Sequence, residues 1–431
     1  EAGTILGVYM SRYIVRPNGP LKGNVRVIGA KNAVLPIIAA TILTKESCVL
    51  DDVPDLADVK IMNEIINSLG GKAEFSGGEK KAEICCEDIE NLSVPKNLAE
   101  QMRASILVIG ALLGRFGKGI VPLPGGCAIG KRPIGLHAKG LEALGADVRI
   151  DEIRGCMVAQ ADRLIGSDIY LDFPSVGATE TIIMAATLAE GTTVIYNAAQ
   201  EPEIVDLANF LSKMGAKIKG AGTDTIKIIG RKELKGARHR VIPDRIEAGT
   251  YMIAAAITRG EVSVENMVVD HLRPLIAKLI ETGVDVKITE EGIYVNAVDK
   301  KLKPTDIKTL PYPGFPTDLQ SPFMAYLATV EGVSTVIETV FENRFMHADE
   351  FSKLGASIIT NGKEAKIDGT DNLKGSSIRA TDLRAGAAMI LLGLVATGET
   401  SVYDIYHIDR GYDSFMNKLR ALGADIERIE E

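Results

Sequence analysis

The apolar and polar positions of this chain return to one phrase six times. An apolar helical run reaches a glycine, and alternation of apolar and polar residues begins at once. The phrase stands at Leu69-Gly70-Gly71, Leu144-Gly145-Ala146, Met214-Gly215-Ala216, Thr282-Gly283-Val284, Leu354-Gly355-Ala356 and Leu422-Gly423-Ala424. Each glycine is placed where a helix needs a left-handed C-terminal cap, and the residues after it, such as Ala146-Asp147-Val148-Arg149-Ile150, have the two-residue period of a half-buried strand. The central glycines are 75, 70, 68, 72 and 68 residues apart.

A second marker keeps step with the first. An Ala- and Leu-rich helical segment and a short turn lead into a β-branched strand at Cys48-Val49-Leu50, Ile120-Val121, Thr193-Val194-Ile195, Ser263-Val264-Glu265, Thr335-Val336-Ile337 and Ser401-Val402-Tyr403. Each module of roughly 70 residues therefore holds at least two helices and several strands, an α/β unit larger than a solenoid repeat. Six modules group as three plus three. The polar stretch at residues 231–240, ahead of Pro243, reads as the connector. The expected domains are residues 1–30 with 243–431, three modules completed by the N-terminal segment, and residues 31–242, the other three. A cleft between two such domains is a natural ligand site.

Composition narrows the class. Hydrophobic residues make up 46% and charged residues 25% of 431 positions, and no apolar run approaches the roughly 20 residues that span a bilayer, so no membrane association is expected. Cysteines 48, 85, 86, 127 and 156 are odd in number and form no regular framework, which points to a reducing, cytoplasmic compartment. The segment before Met10 has neither the basic start nor the full apolar region of a signal peptide and is expected to be a short extension. A net charge of −8 argues against a nucleic-acid partner, so an anionic ligand would be captured by cations gathered locally.

Candidate chemistry then falls in loops. Pro122 to Pro133 combines glycines 125, 126 and 130 with Cys127, Lys131 and Arg132: a shaped loop whose thiol can give up a proton or, if cations lower its pKa, act as a nucleophile, or else an ordinary Gly-rich turn whose Cys is a small hydrophobe. Gly29-Ala30-Lys31-Asn32-Ala33 places a cation and an amide at a helix start, suited to an anionic or hydroxylated ligand, or to a plain cap. Arg103 heads another apolar helix and on spacing alone reads as a solvated surface residue more readily than as a ligand, and 172–180 is a turn of small residues opening a helix at Thr181, a backbone N–H ligand site or simply a turn. Three prolines around Gly314 present Asp318 at a helix edge, as a general base or equally as an N-cap. Asp382 with Arg384 and Asp409 with Arg410 read as acids orienting guanidinium forks, or as local salt bridges. No zinc-type His spacing, Walker motif or dinucleotide fingerprint occurs, so neither a metal nor a nucleotide cofactor is expected.

Taken together, Gly-Ala-Lys-Asn-Ala at 29–33, Met-Arg-Ala-Ser at 102–105, Pro-Gly-Gly-Cys at 124–127, Ser-Val-Gly-Ala-Thr at 175–179, Pro-Thr-Asp at 316–318, Glu-Asn-Arg-Phe-Met-His at 342–347, Thr-Asp-Leu-Arg-Ala at 381–385 and His-Ile-Asp-Arg-Gly-Tyr at 407–412 resemble the UDP-N-acetylglucosamine 1-carboxyvinyltransferases. These enolpyruvyl transferases open peptidoglycan precursor synthesis. The resemblance runs from Tyr13 to the C-terminus and implies an inside-out α/β barrel of two domains, each of three repeated units. It implies transfer of an enolpyruvyl group from phosphoenolpyruvate to UDP-N-acetylglucosamine without a cofactor. By this likeness Cys127 takes part in protonating the enolpyruvyl carbon and is the residue trapped by fosfomycin. Asp318 is the acid beside the sugar 3-hydroxyl. Lys31, Arg132 and Arg410, with Arg103 nearby, surround phosphoenolpyruvate, and Asn32 contacts the sugar. Arg132, Pro133, Ile134, Gly135 and Leu136, then Phe173, Pro174, Ser175, Val176 and Gly177, and also Val340, fall where the nucleotide is held. Asp382 and Arg384 complete the ring. The rivals are the shikimate-pathway enolpyruvyl transferase, which lacks the Cys loop, and a silent nucleotide-binding paralogue. The residues leave the oligomeric state open.

Overall fold

A computed structural model describes residues 11–123 and 134–430 of the chain. They fall into two compact units, one of residues 11–28 and 243–430, here the first unit, and one of residues 29–123 and 134–242, here the second.

The six glycine stops are six copies of one helix cap. Gly70, Gly145, Gly215, Gly283, Gly355 and Gly423 have φ between 92° and 106°. In each case the amide after the glycine donates to the carbonyl five residues back, as Ala146 does to Leu141 and Ala424 to Leu419. This closed cap satisfies carbonyls that the helix end leaves open, and the left-handed residue at its centre has a steric cost for any side chain.

The β-branched markers are strands Cys48–Asp51, Lys118–Pro122, Thr192–Tyr196, Glu261–Glu265, Gly332–Ile337 and Thr400–Tyr403. Each organises its own sheet among the described residues, three sheets to a unit. Five sheets have four strands in the same order: a short parallel edge strand, the marker strand, then two antiparallel strands. In the sixth the parallel edge shrinks to one bridge, Ser93 to Ile120. The ring of modules closes through strands distant in sequence. Arg238–Arg240, from the end of the second unit, lies parallel to Cys48–Asp51 at its beginning. In the first unit, Lys22–Arg26 is the parallel edge for Glu261–Glu265. Arg12–Arg16 lies between Thr400–Tyr403 and Asp425–Ile429, pairing antiparallel with both.

Two kinds of helix alternate. Ala57–Ser68, Pro202–Lys213 and Arg273–Glu281 bury one face and leave the other polar. Lys31–Ala40, Val108–Phe116 and Val176–Ala186, and in the first unit Arg245–Ile257, Gln320–Leu327 and Leu383–Gly393, are buried almost all round. A helix that is apolar on every side belongs in a core. These six are the inner helices, three per unit, packed on one another with half-exposed sheets outside them. Where Val108–Phe116 meets Val176–Ala186, a Cβ at Gly110 would lie 2.4 Å from the Thr181 carbonyl, so the backbones touch only because residue 110 has no side chain. Among the described residues no helix is long and apolar enough to cross a membrane.

Candidate active site

The inner helices matter because Lys31, Asp318, Asp382 and Arg384 and the 173–177 turn lie at or next to their first turns, with Arg103 just ahead of another, where backbone N–H groups and the helix dipole favour anions. In the first unit, Asp318 sits in the short turn Thr317–Leu319 that leads into Gln320–Leu327, and it caps neither element. It is held on both oxygens: Arg344 Nη2 is 3.2 Å from Oδ1, and Arg384 approaches Oδ2 with Nε at 3.2 Å and Nη2 at 3.1 Å. Both arginine side chains are only 3% exposed. The alternative reading of Asp318 as an N-cap is set aside, because Pro316 and Leu319 hold the cap positions of these two elements.

Arg384 keeps its charge in spite of its position. Burial alone favours its neutral form, but the neighbouring Tyr412, Asp318 and Asp244 more than offset this and hold it further into the charged range. Its guanidinium also lies over the Tyr412 ring, 5.1 Å from the centroid. Asp382 does not orient Arg384. Its Oδ1 instead accepts from the backbone N–H groups of Arg384 and Ala385, at 2.9 and 3.1 Å, as the N-cap of Leu383–Gly393. Nor does Asp409 orient Arg410. It pairs with Arg428 at 3.0 Å, on the strand Asp425–Ile429 that comes after the next helix. Both corrections have one cause: adjacency along the chain placed these side chains on different faces. Arg410 and Asp382 meet at His407, where burial and Arg410 lower the imidazole pKa and Asp382 opposes them.

Val340 lies half-buried in a loop organised by Glu338, whose Oε1 accepts from the N–H groups of Val340 at 2.7 Å and Phe341 at 3.1 Å. The same oxygen takes Thr309, and Oε2 takes the Thr317 hydroxyl beside Asp318 at 2.9 Å. One buried carboxylate thus fixes both the Val340 loop and the turn that carries Asp318.

In the second unit, Lys31 opens helix Lys31–Ala40. It is buried, and its Nζ is 2.6 Å from Asp58 Oδ2 on Ala57–Ser68, while the next residue, Asn32, is exposed. Arg103 begins the turn Arg103–Leu107 ahead of Val108–Phe116. It lies near His137, whose pKa falls to about 4, chiefly through burial and further through Arg103. The His137 Nδ1 is 2.9 Å from Thr181 Oγ1, and a Cβ at Gly177 would sit 3.2 Å from its ring. His137 therefore brings together Arg103, the start of helix Gly135–Ala143, which carries Gly135 and Leu136 next to Ile134, and the 173–177 turn. In that turn Ser175 caps Val176–Ala186 through Ala178 N–H, Phe173 is 44% exposed, and Pro174 and Val176 are half-buried. Cys127, Arg132 and Pro133 lie outside the described residues.

The family model for EPSP synthase (3-phosphoshikimate 1-carboxyvinyltransferase) matches residues 15–419. A UDP-N-acetylglucosamine 1-carboxyvinyltransferase 1 of Caldanaerobacter subterraneus is 56% identical over 97% of this chain and 99% of its own length. A UDP-N-acetylglucosamine 1-carboxyvinyltransferase 2 of Carboxydothermus hydrogenoformans is 55% identical over 98% and 100%. The chain belongs to the UDP-N-acetylglucosamine 1-carboxyvinyltransferase family. It is an enzyme of the carboxyvinyl-transfer class. Among solved structures, the enolpyruvyl transferase NikO of Streptomyces tendae has a TM-score of 0.87 at 24% identity, covering 98% of this chain and 99% of its own. An EPSP synthase of Acinetobacter baumannii has a TM-score of 0.77 at 18% identity, covering 97% and 100%. At these identities the two structures establish the fold: the inside-out α/β architecture of the enolpyruvyl transferases.

In this member of the UDP-N-acetylglucosamine 1-carboxyvinyltransferase family, sequence reasoning gave no role to Arg344, Glu338 or Tyr412. Arg344 stood in a quoted motif, yet nothing local marked it as the partner of a residue 26 positions away.

Proposed function

We propose that the protein transfers the enolpyruvyl group of phosphoenolpyruvate to the 3-hydroxyl of UDP-N-acetylglucosamine and releases inorganic phosphate, the first committed step of peptidoglycan precursor synthesis, in the cytoplasm. The observation that carries this reading is a carboxylate, Asp318, fixed by two buried guanidinium groups, in a chain that shares 56% of its residues over nearly full length with a named transferase of this kind.

Asp318 takes the proton of the sugar 3-hydroxyl as its oxygen bonds to C2 of phosphoenolpyruvate, and Cys127 delivers a proton to C3. Phosphate then leaves as the bond from C2 to the phosphate oxygen breaks, and loss of a proton from C3 restores the vinyl group. Lys31, Arg103, Arg132, Arg384 and Arg410 neutralise the phosphate and carboxylate and stabilise charge that grows as the adduct forms. Asn32 contacts the sugar. Residues 132–136, 173–177 and Val340 hold the uridine nucleotide, and Asp382 supports Arg384 by capping its helix.

The test is phosphate release on mixing both substrates, with and without fosfomycin. Release that fosfomycin abolishes in the native protein, and loss of covalent labelling in Cys127→Ala, are the expected results. Release with shikimate 3-phosphate in place of the sugar nucleotide would overturn the substrate assignment. No release from a folded sample would favour a silent nucleotide-binding paralogue.

A further inference from the structure

His347 stands out among the buried polar groups of the first unit that the proposed chemistry does not use. It is 0% exposed, packs edge-on against Phe351 with ring centroids 4.8 Å apart, and neither ring nitrogen has a hydrogen-bond partner among the described residues. The nearby Arg344 carbonyl falls short of bonding geometry. Burying an imidazole with both nitrogens unpaired carries a desolvation penalty, so a leucine would be the cheaper filler. A histidine here needs a reason, and its neighbours supply one.

The charges of two nearby groups, Arg344 and Asp382, act on the ring in opposite senses. Arg344 holds Oδ1 of Asp318 through Nη2, yet its own Nε–H is buried and has no acceptor among the described residues. Asp382 caps the helix that carries Arg384, the residue on Oδ2 of Asp318, using only Oδ1 for the two cap hydrogen bonds. His347 is thus within electrostatic reach of both arms that hold Asp318. The chemistry is complementary: a neutral imidazole has one nitrogen to accept from Arg344 Nε–H and one N–H to donate toward Asp382. A protonated ring could only donate and would set a second cation against Arg344. Burial, reinforced by Arg344, pulls the His347 pKa down to about 4 against the opposing pull of Asp382, so the ring stays neutral at physiological pH.

We propose that His347 is a positioning residue that links Arg344 to Asp382, directly or through one water molecule, and so fixes the two-armed grip on Asp318. The proposal rests on Asp318 acting as the base. Such links are often long in an unliganded site and shorten when substrate is bound. They orient a reacting group without touching substrate, as outer hydrogen-bond partners do elsewhere.

The experiment is a mutant cycle in the full-length enzyme, reading kcat, KM for the sugar nucleotide, and the thermal midpoint. His347→Leu, an apolar replacement, is expected to lower kcat roughly 10- to 100-fold with less than about a threefold change in KM. His347→Gln, which keeps one donor and one acceptor, is expected to recover most of the loss. In Asp318→Asn, adding His347→Leu is expected to change kcat no further, because the link would have nothing left to position. If His347→Leu folds and keeps full kcat, or if its loss multiplies with that of Asp318→Asn, the positioning role falls while the base assignment stands. If Asp318→Asn itself keeps kcat, the base assignment falls first. If His347→Leu does not fold, His347→Gln decides: a folded His347→Gln with kcat as low as that of Asp318→Asn overturns the proposal, and near-native kcat upholds it.

Discussion

Asp318 and Lys31 show how differently a charge can be housed. Asp318 is partly open, 26% exposed in its side chain, and gripped on both oxygens, the arrangement expected of a carboxylate that must keep one orientation and still meet a substrate hydroxyl. Asp318→Asn is expected to lower kcat by roughly 10²- to 10⁴-fold with little change in affinity for the nucleotide, the usual scale for a lost general base, checked by steady-state phosphate release. A pure affinity defect would remove Asp318 from that role. Lys31 is the opposite case: its ammonium and the Asp58 carboxylate are both buried. Removing one partner of such a pair strands the other charge, so Lys31→Met is expected to destabilise the fold by about 3–5 kcal/mol in urea unfolding, and the double variant Lys31→Met with Asp58→Asn to recover much of that. A loss of turnover in Lys31→Met alone therefore reports on folding as well as on substrate, and the double variant separates the two.

The repeated helix stop is the element from which the fold is assembled. Its energetics are exposed most cleanly at Gly145, where φ is 92° and a Cβ would meet nothing within 4 Å. Gly145→Ala therefore tests backbone conformation alone and is expected to cost about 1–2 kcal/mol, read as a drop in the urea midpoint with an unchanged slope. At Gly70 the same φ class is joined by a Cβ position 2.4 Å from the Asp88 carbonyl, so Gly70→Ala is expected to cost more than Gly145→Ala. Equal costs would mean that neighbouring backbone shifts freely. This element was legible from sequence because all its determinants lie within about six residues: an apolar helical face, a residue tolerant of positive φ, then two-residue alternation. The marker strands were legible for the same reason. The closing strands Arg12–Arg16 and Arg238–Arg240 pair with partners hundreds of residues away, and only the first was anticipated, as an N-terminal segment completing its group.

At the scale of the whole molecule, buried imidazoles make stability depend on pH. The unfolded chain takes up a proton on histidine near pH 6.5, whereas folded His137 and His347 wait until about pH 4. Each group with a lowered folded pKa therefore contributes stability that is present above pH 6.5 and is lost as pH falls toward 4, up to about 3 kcal/mol apiece. Glu247 works in the opposite sense over an overlapping window. Burial lifts its pKa to about 7, against the pull of Lys418, so the stability it contributes is present below the usual carboxylate range and is lost as pH rises through 7. Replacing His137 by Asn is expected to flatten the fall in unfolding free energy between pH 6.5 and 4 by close to one proton; an unchanged slope would show that His137 titrates normally in the folded state. Sequence by itself determined the modules, their number, their caps and their marker strands, because those depend on short-range sterics and periodicity. The motifs likewise brought Asp318, Arg384 and Arg410 into one candidate set. Only the tertiary structure decided which acid serves which base: Asp382 caps a helix, Asp409 belongs to Arg428, and Asp318 to Arg344 and Arg384. A charged side chain pairs with whatever the packing of helices and sheets brings within about 4 Å, and that distance is not written in the spacing of residues along the chain.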